Sequence, residues 1–285
     1  MDEPRRTRII LSLGAAAAVL VLVVVVQLRA PKPQPAPSPP LPAPAPVVEA
    51  PPAPPAPPPA PPALKRGDLI AAAAEAAAAF AEGRPVPDER RLMAGRRFQI
   101  VIPFSCRGLG VAADTDPARA TVDAKRRTLT LAAAPQDWAE APWLDTILGG
   151  AEPEAVEGFW VPRPWITGEA CPAVPIPAEA EGKVQPTPPS LGLVQVFAVG
   201  ASRVGQRGSR PYRVVKKLSE EEVAAAPATY RLILTGRIAA LVEDQAVRCF
   251  SADVDMRPTC LIGVKLDKVR FEDAAGAETL AEWAD

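Results

Sequence analysis

Proline supplies 18 of the 33 residues between Pro31 and Ala63. Because proline lacks a backbone N–H and holds φ at about −65°, the stretch is barred from helices and sheet ladders. It reads as an extended polyproline II spacer over 31–63, and at ~3.1 Å per residue its reach is at most on the order of 100 Å. Alanine separates most of the prolines, and Lys32 and Glu49 are the only charges. A run such as Pro51 to Pro62 also suits an aromatic groove in a partner, where a polyproline segment docks at low entropic cost.

Ahead of the spacer, Ile9 to Leu28 holds only Ser12 and Gln27 as clearly polar side chains. Twenty residues at about 1.5 Å rise span roughly 30 Å, the thickness of a bilayer's hydrocarbon. The sequence therefore predicts a cytoplasmic tail over 1–8 and one transmembrane helix over 9–28. A cleaved signal peptide is the rival, since Arg5, Arg6 and Arg8 form a positive leader. Against it, the apolar run exceeds a signal's usual length, and Leu28-Arg29-Ala30 puts a large residue where cleavage needs a small one. The three leader arginines outnumber Arg29 and Lys32 by one, so charge favours the tail inside and the body outside only narrowly.

Roughly 200 residues then remain for globular structure, enough for a sizeable core. Asp68 to Glu82 reads as an alanine-rich helix capped by Gly67 or Asp68 and stopped by Gly83 and Pro85, with a weak stripe of Leu69, Ile70, Ala73, Ala77 and Phe80. From residue 96 to 285 the period turns to two. Strands are expected near Phe98 to Ile102, Ala118 to Asp123, Thr128 to Ala133, Val156 to Val161, Leu193 to Val199, Tyr212 to Lys217, Tyr230 to Leu241, Ala246 to Ser251, Cys260 to Leu266, Val269 to Glu272 and Thr279 to Trp283. Hairpins are expected across Ala124 to Arg127 and Asp273 to Ala277. Short helices are expected at Glu140 to Leu148 and after Ser219, where Ser219 and Glu222 form a capping box and Pro227 ends the run. The fold class is mainly β: an antiparallel sandwich or barrel-like domain, stabilised by disulfides, with a few short helices.

Cys106, Cys171, Cys249 and Cys260 permit three pairings. A hairpin brings Cys249 and Cys260 into bridging range, leaving Cys106 to tie Cys171 and its eight-proline excursion, Pro162 to Pro189, to the first strand. A four-cysteine zinc site is the alternative, but no close cysteine pair offers two ligands from one turn. Bridges would place the body in an oxidising compartment.

The chain has no histidine. That excludes Ser-His-Asp and Cys-His catalysis and histidine-bearing zinc sites within this chain. With 32 basic against 33 acidic residues, no global field draws it to nucleic acid. One segment is charge-segregated: Lys183 to Lys217 holds Lys183, Arg203, Arg207, Arg210, Arg213, Lys216 and Lys217 and no acid. It would suit an anionic envelope surface, or simply a solvated hairpin whose charges block edge pairing. Asp253 with Asp255, and Asp114 with Asp116, could offer oxygens to calcium or merely form turns. Trp138, Trp143, Trp160 and Trp165, with Phe159, lie among Glu140, Asp145, Glu152, Glu154 and Glu157. Such a set fits a sugar-stacking cleft with two working carboxylates, or rings filling a core.

The expectation is a non-catalytic domain held in the envelope of a bacterial cell on a stalk, binding or scaffolding another envelope protein or an anionic polymer, with no cofactor. A carboxylate-dependent glycan hydrolase is the enzyme alternative. The order of anchor, proline-rich stalk and exported domain resembles that of TonB-type energy transducers, and this layout implies energy transduction or trafficking as a third reading. No site residue carries over from it.

Overall fold

The computed structural model describes residues 60–87, 93–104, 106, 116–174, 187–225, 230–273, 275 and 278–284. The expected tail 1–8, the membrane helix Ile9 to Leu28 and most of the spacer lie outside these residues, as do Asp114 and Lys183. Among the described residues no helix is long and apolar enough to cross a membrane.

The described chain is mainly β. Eleven strands, β1 (Arg97–Pro103), β2 (Ala118–Asp123), β3 (Thr128–Ala133), β4 (Gln136–Asp137), β5 (Ala155–Trp160), β6 (Leu191–Phe197), β7 (Tyr212–Lys217), β8 (Tyr230–Ile238), β9 (Val247–Phe250), β10 (Thr259–Asp273) and β11 (Glu278–Ala284), alternate with α1 (Arg66–Ala81), α2 (Leu144–Leu148) and α3 (Glu220–Ala225). They form an eight-stranded sheet, with β1-β8-β10-β6-β5-β4 as its path and β9 and β11 also on β10, and a three-stranded sheet, β2-β3-β7. The hairpin expected across Ala124 to Arg127 joins β2 to β3, and β10 pairs with β11 beyond Asp273.

Several expectations need correcting. The strands foreseen at Cys260 to Leu266 and Val269 to Glu272 are one strand, β10. The charged run Lys265 to Lys268 stays in the ladder because Asp267 is the extra residue of a bulge, with Leu266 opposite Gly236 and Lys268 opposite Thr235. The sheet is also not purely antiparallel: Cys260 to Gly263 run parallel to Leu191 to Val194. Roughly seventy residues separate these strands, so no turn signal announces the pairing.

Along one edge β10 meets β8 and then β9, which are collinear and interrupted by the turn around Val242 to Gln245. Gly263 joins them, accepting from the Ala239 N–H and donating to Ala246 O, each at 2.8 Å. Along the other edge its partner changes from β6 to β11. At that change the buried Gln195 side chain accepts the Leu266 N–H at 2.9 Å, so the backbone donor left over between two partners is satisfied.

The main core joins the inner face of the large sheet (Phe98, Ile100, Leu234, Phe271) to the small sheet (Leu129, Leu131) and α1. The helix buries Leu69, Ala72, Ala73, Ala76 and Ala79, while Phe80 is 42% exposed. The stripe expected through Ala77 and Phe80 is thus rotated. With alanine on every side the sequence hardly distinguishes faces, and the small side chains let the helix lie close on β9 and β10. Its start is tied twice. Asp68 accepts the Lys65 N–H at 2.7 Å, and the buried Arg66 guanidinium donates to the carbonyls of Pro162, Arg163 and Ile166. Burial, followed by the charge of Arg163, lowers the Arg66 pKa to about 10, so it remains a cation at neutral pH. Just before the helix, Leu64 runs parallel to β1, donating to Arg97 O and accepting from Gln99 N at 2.8 Å each. Arg96 grips Pro62 O at 3.1 Å.

A second core lies on the outer face, where α2, Trp138 and Trp143 cover Val156, Val194 and Leu261. The helix expected over Glu140 to Leu148 is only the five residues of α2, its first half being turns. Trp138 packs so closely that a Cβ on Gly158 would stand 2.0 Å from its ring and 2.5 Å from Leu193 O. Gly158→Ala should therefore cost about 3 kcal/mol, the upper end for overpacking. A urea melt followed by tryptophan emission checks this, and a midpoint within error of the wild type would show that Trp138 is not seated there.

Candidate functional site

All four cysteines are bridged as the spacing predicts, Cys249 with Cys260 and Cys106 with Cys171, and none is free. Cys249 and Cys260 are directly opposite in the β9–β10 ladder, with Cα atoms 4.0 Å apart, and both are buried under α1, where the Cys260 sulfur touches Ala73 O at 3.4 Å. The second bridge fastens the chain after β1 to the excursion held by Arg66. The sulfurs therefore hold backbone rather than a metal. Among the described residues, no three His, Cys, Asp or Glu side chains converge as a metal site.

The described part of the basic segment is β6, a loop and β7, and it is not the expected hairpin: β6 pairs with β5 and β10 in the large sheet, while β7 pairs with β3 in the small one. Most of its charges already have work inside the domain. Arg203 pairs with Glu154. Arg207 lies over the Tyr212 ring at 4.4 Å and donates to Pro211 O, while Arg210 donates to Arg207 O at 2.8 Å. Lys216 faces Glu222 at 3.6 Å, and Lys217 reaches Arg126 O at 3.4 Å. Arg213 stands exposed on the outer side of β7. Behind the loop sits Glu157, a charged side chain of 4% exposure, whose carboxylate accepts the backbone N–H groups of Arg207 and Gly208. Two backbone amides of the loop thus converge on one buried carboxylate of the same chain.

The expected sugar cleft is divided. Trp138, Trp143 and Trp160 do cluster, joined by Phe250 stacked on Trp143 at 5.2 Å, and the indoles of Trp138 and Trp160 both donate to Gln136 Oε1. Trp165, 58% exposed, stands apart from the cluster. Glu157 alternates with Trp160 along β5 and faces the opposite side of the sheet, toward Phe159, Gln195 and Tyr212. Glu140, Asp145 and Glu152 are exposed. Asp253 accepts the Asp255 N–H at 2.9 Å in an exposed turn, the arrangement of a turn-forming aspartate.

What the sequence does not announce is a groove of about 330 Å³ on the outer face. Val194, Val196, Gly263 and Lys265 form its floor, with the 201–204 turn on one side and Ala239, Ala240 and Leu241 on the other. Val196 and Val204 are 37% and 59% exposed. Most side chains lining it are apolar, but Lys265, Ser202 and backbone atoms make a substantial part of its surface polar. Its floor residues come two each from β6 and β10, and the rest from an interrupting turn and a loop, so no single strand pattern advertises it.

No family model, no curated protein and no solved structure matches the chain.

If Glu157 is the pin of the basic loop, Glu157→Ala leaves two inward-turned N–H groups without an acceptor and should cost about 2 kcal/mol. Limited trypsin digestion would then cut first at Arg203 or Arg207. An unchanged digestion pattern would remove Glu157 from that role.

Proposed function

We propose that this chain is a single-pass protein of the bacterial inner membrane whose disulfide-stabilised β domain, carried outside the cytoplasm on the proline-rich spacer, binds or scaffolds another envelope component without catalysing a reaction. The supporting observation is Glu157. Its carboxylate is the buried acid best placed for chemistry, and both of its oxygens are committed to the amides of Arg207 and Gly208. A carboxylate turned in this way onto the backbone of its own loop is held where it serves the fold. The tryptophans that would stack a sugar lie across the sheet from it, and with no histidine in the chain the common general base is missing as well.

Two further points favour export and tethering. Disulfides persist in oxidising compartments, and here they fasten both the central strand and the excursion. Ile9 to Leu28 retains the length and apolarity of a spanning helix. The partner is an envelope protein or an anionic envelope molecule, and nucleic acid is not favoured by a chain of net charge −1.

The full-length protein should release no reducing ends from cell-wall glycan, and Glu140→Gln, Asp145→Asn and Glu157→Gln should leave that result unchanged. Hydrolysis abolished by any one of the three would overturn the non-catalytic reading. Mass mapping of the membrane-extracted protein without reductant should find the Met1 peptide beside both cysteine linkages, whereas a new N-terminus after Ala30 would make the protein secreted rather than anchored.

A further inference from the structure

Three cations stand side by side on the outer face of the large sheet. Arg97 of β1 is directly opposite Arg237 of β8, and Arg237 is opposite Lys265 of β10. All three are exposed. Like charges placed directly opposite raise the free energy of a sheet. Asp267 answers Arg237 at 3.7 Å, and among the described residues neither Arg97 nor Lys265 has an ion pair. This contrasts with the basic loop, whose arginines and lysines are largely occupied within the domain. Lys265 belongs at once to the row and to the groove, which Val196, Val204, Ala240 and Leu241 also line. Of the three, Lys265 lines the groove, and Arg237 and Arg97 continue the row beside it across β8 and β1. Cations next to a groove with apolar side chains are complementary to a molecule with an anionic head and a hydrocarbon tail.

An acidic peptide also carries negative charge, but it brings backbone amides that lose water on entering the groove. Of the side chains there, chiefly alanine, valine and leucine, only Ser202 and Lys265 could pair with them, and each amide left unpaired is costly. Hydrocarbon asks only for contact area. The groove's volume of about 330 Å³ lies at the lower end of ligand pockets, which suits part of one acyl chain rather than a folded partner.

Resting on the reading of the domain as a non-catalytic binder, we propose that the groove and its cation row hold an anionic phospholipid, its phosphate on Arg97, Arg237 and Lys265 and an acyl chain along Val196, Val204 and Leu241. The head is recognised by charge and the tail by burial, so neutral lipids and free phosphate each satisfy only half of the site.

The test uses the full-length protein in uncharged maltoside micelles, with a phosphatidylglycerol carrying a photoreactive diazirine in its acyl chain as the probe. Adducts should map to 194–204 and 239–241. Unlabelled phosphatidylglycerol should suppress them, while phosphatidylcholine or inorganic phosphate at the same concentration should not. The double variant Arg237→Ser, Lys265→Ser should lower labelling roughly tenfold, given that each basic residue near an anionic lipid surface is worth severalfold in affinity. Its melting temperature should hold or rise, because the like-charge row has been relieved. Arg237→Lys with Lys265→Arg should restore labelling, and Lys125→Ser, at the exposed β2–β3 turn, should not disturb it. Adducts spread evenly over the surface, equal suppression by phosphatidylcholine, or displacement by an acidic peptide but not by phosphatidylglycerol would each overturn the proposal. Absence of groove adducts removes the lipid and leaves the non-catalytic reading standing. A probe recovered with its ester or phosphate bond cut would overturn that reading instead.

Discussion

Everything in the large sheet depends on β10 serving two partners on each edge. Fifteen residues long, it carries β9 and then β8 along one side and β6 and then β11 along the other. A strand that changes partners must leave polar backbone atoms unpaired or supply substitutes. Here the substitutes are specific. Gly263 joins the two collinear strands, Gln195 lends a side-chain oxygen to Leu266, and Asp267 bulges out and faces Arg237. The same hub gathers the disulfide, since Cys260 opens β10, and the groove, since Gly263 and Lys265 form part of its floor.

Features with a local origin were legible in the sequence. The β2–β3 and β10–β11 hairpins follow from turn residues between alternating runs, and the Ser219 capping box appears as Ser219 Oγ accepting the Glu222 N–H at 3.1 Å. The Cys249–Cys260 bridge follows from the same logic, because a hairpin places the two side by side, and Cys106–Cys171 is then the pair that remains. Features with a distant origin were not legible. The parallel β6–β10 pairing has no connecting turn to betray it. Charged residues at Lys265 to Lys268 read as a break, though a bulge absorbs them. The buried face of α1 is concealed by alanine, which is equally apolar on all sides.

The candidate site shows the same division in its charges. Density along the sequence singles out the segment ending at Lys217, yet folding sets its cations on Glu154, Tyr212, Glu222 and carbonyl oxygens. Arg97, Arg237 and Lys265 are scattered along the chain and unremarkable in any window. Register alone aligns them, and register depends on pairings that span the whole domain. Glu157 is similar: in sequence it is one of five acids near tryptophans, and only burial separates it from the others.

The attachment of Leu64 to the edge of β1 sets how the domain would feel tension. Both of its hydrogen bonds run between the incoming segment and an edge strand parallel to it, and Arg96 adds a third grip at Pro62. A load arriving along that segment acts in shear, so the bonds stretch together instead of opening one after another. It passes directly into β1 and from there into the seven-residue ladder with β8, before α1 has to bear any of it. The domain is thus held by the side of its sheet, and a pull from upstream would slide strands past one another rather than unravel the helix.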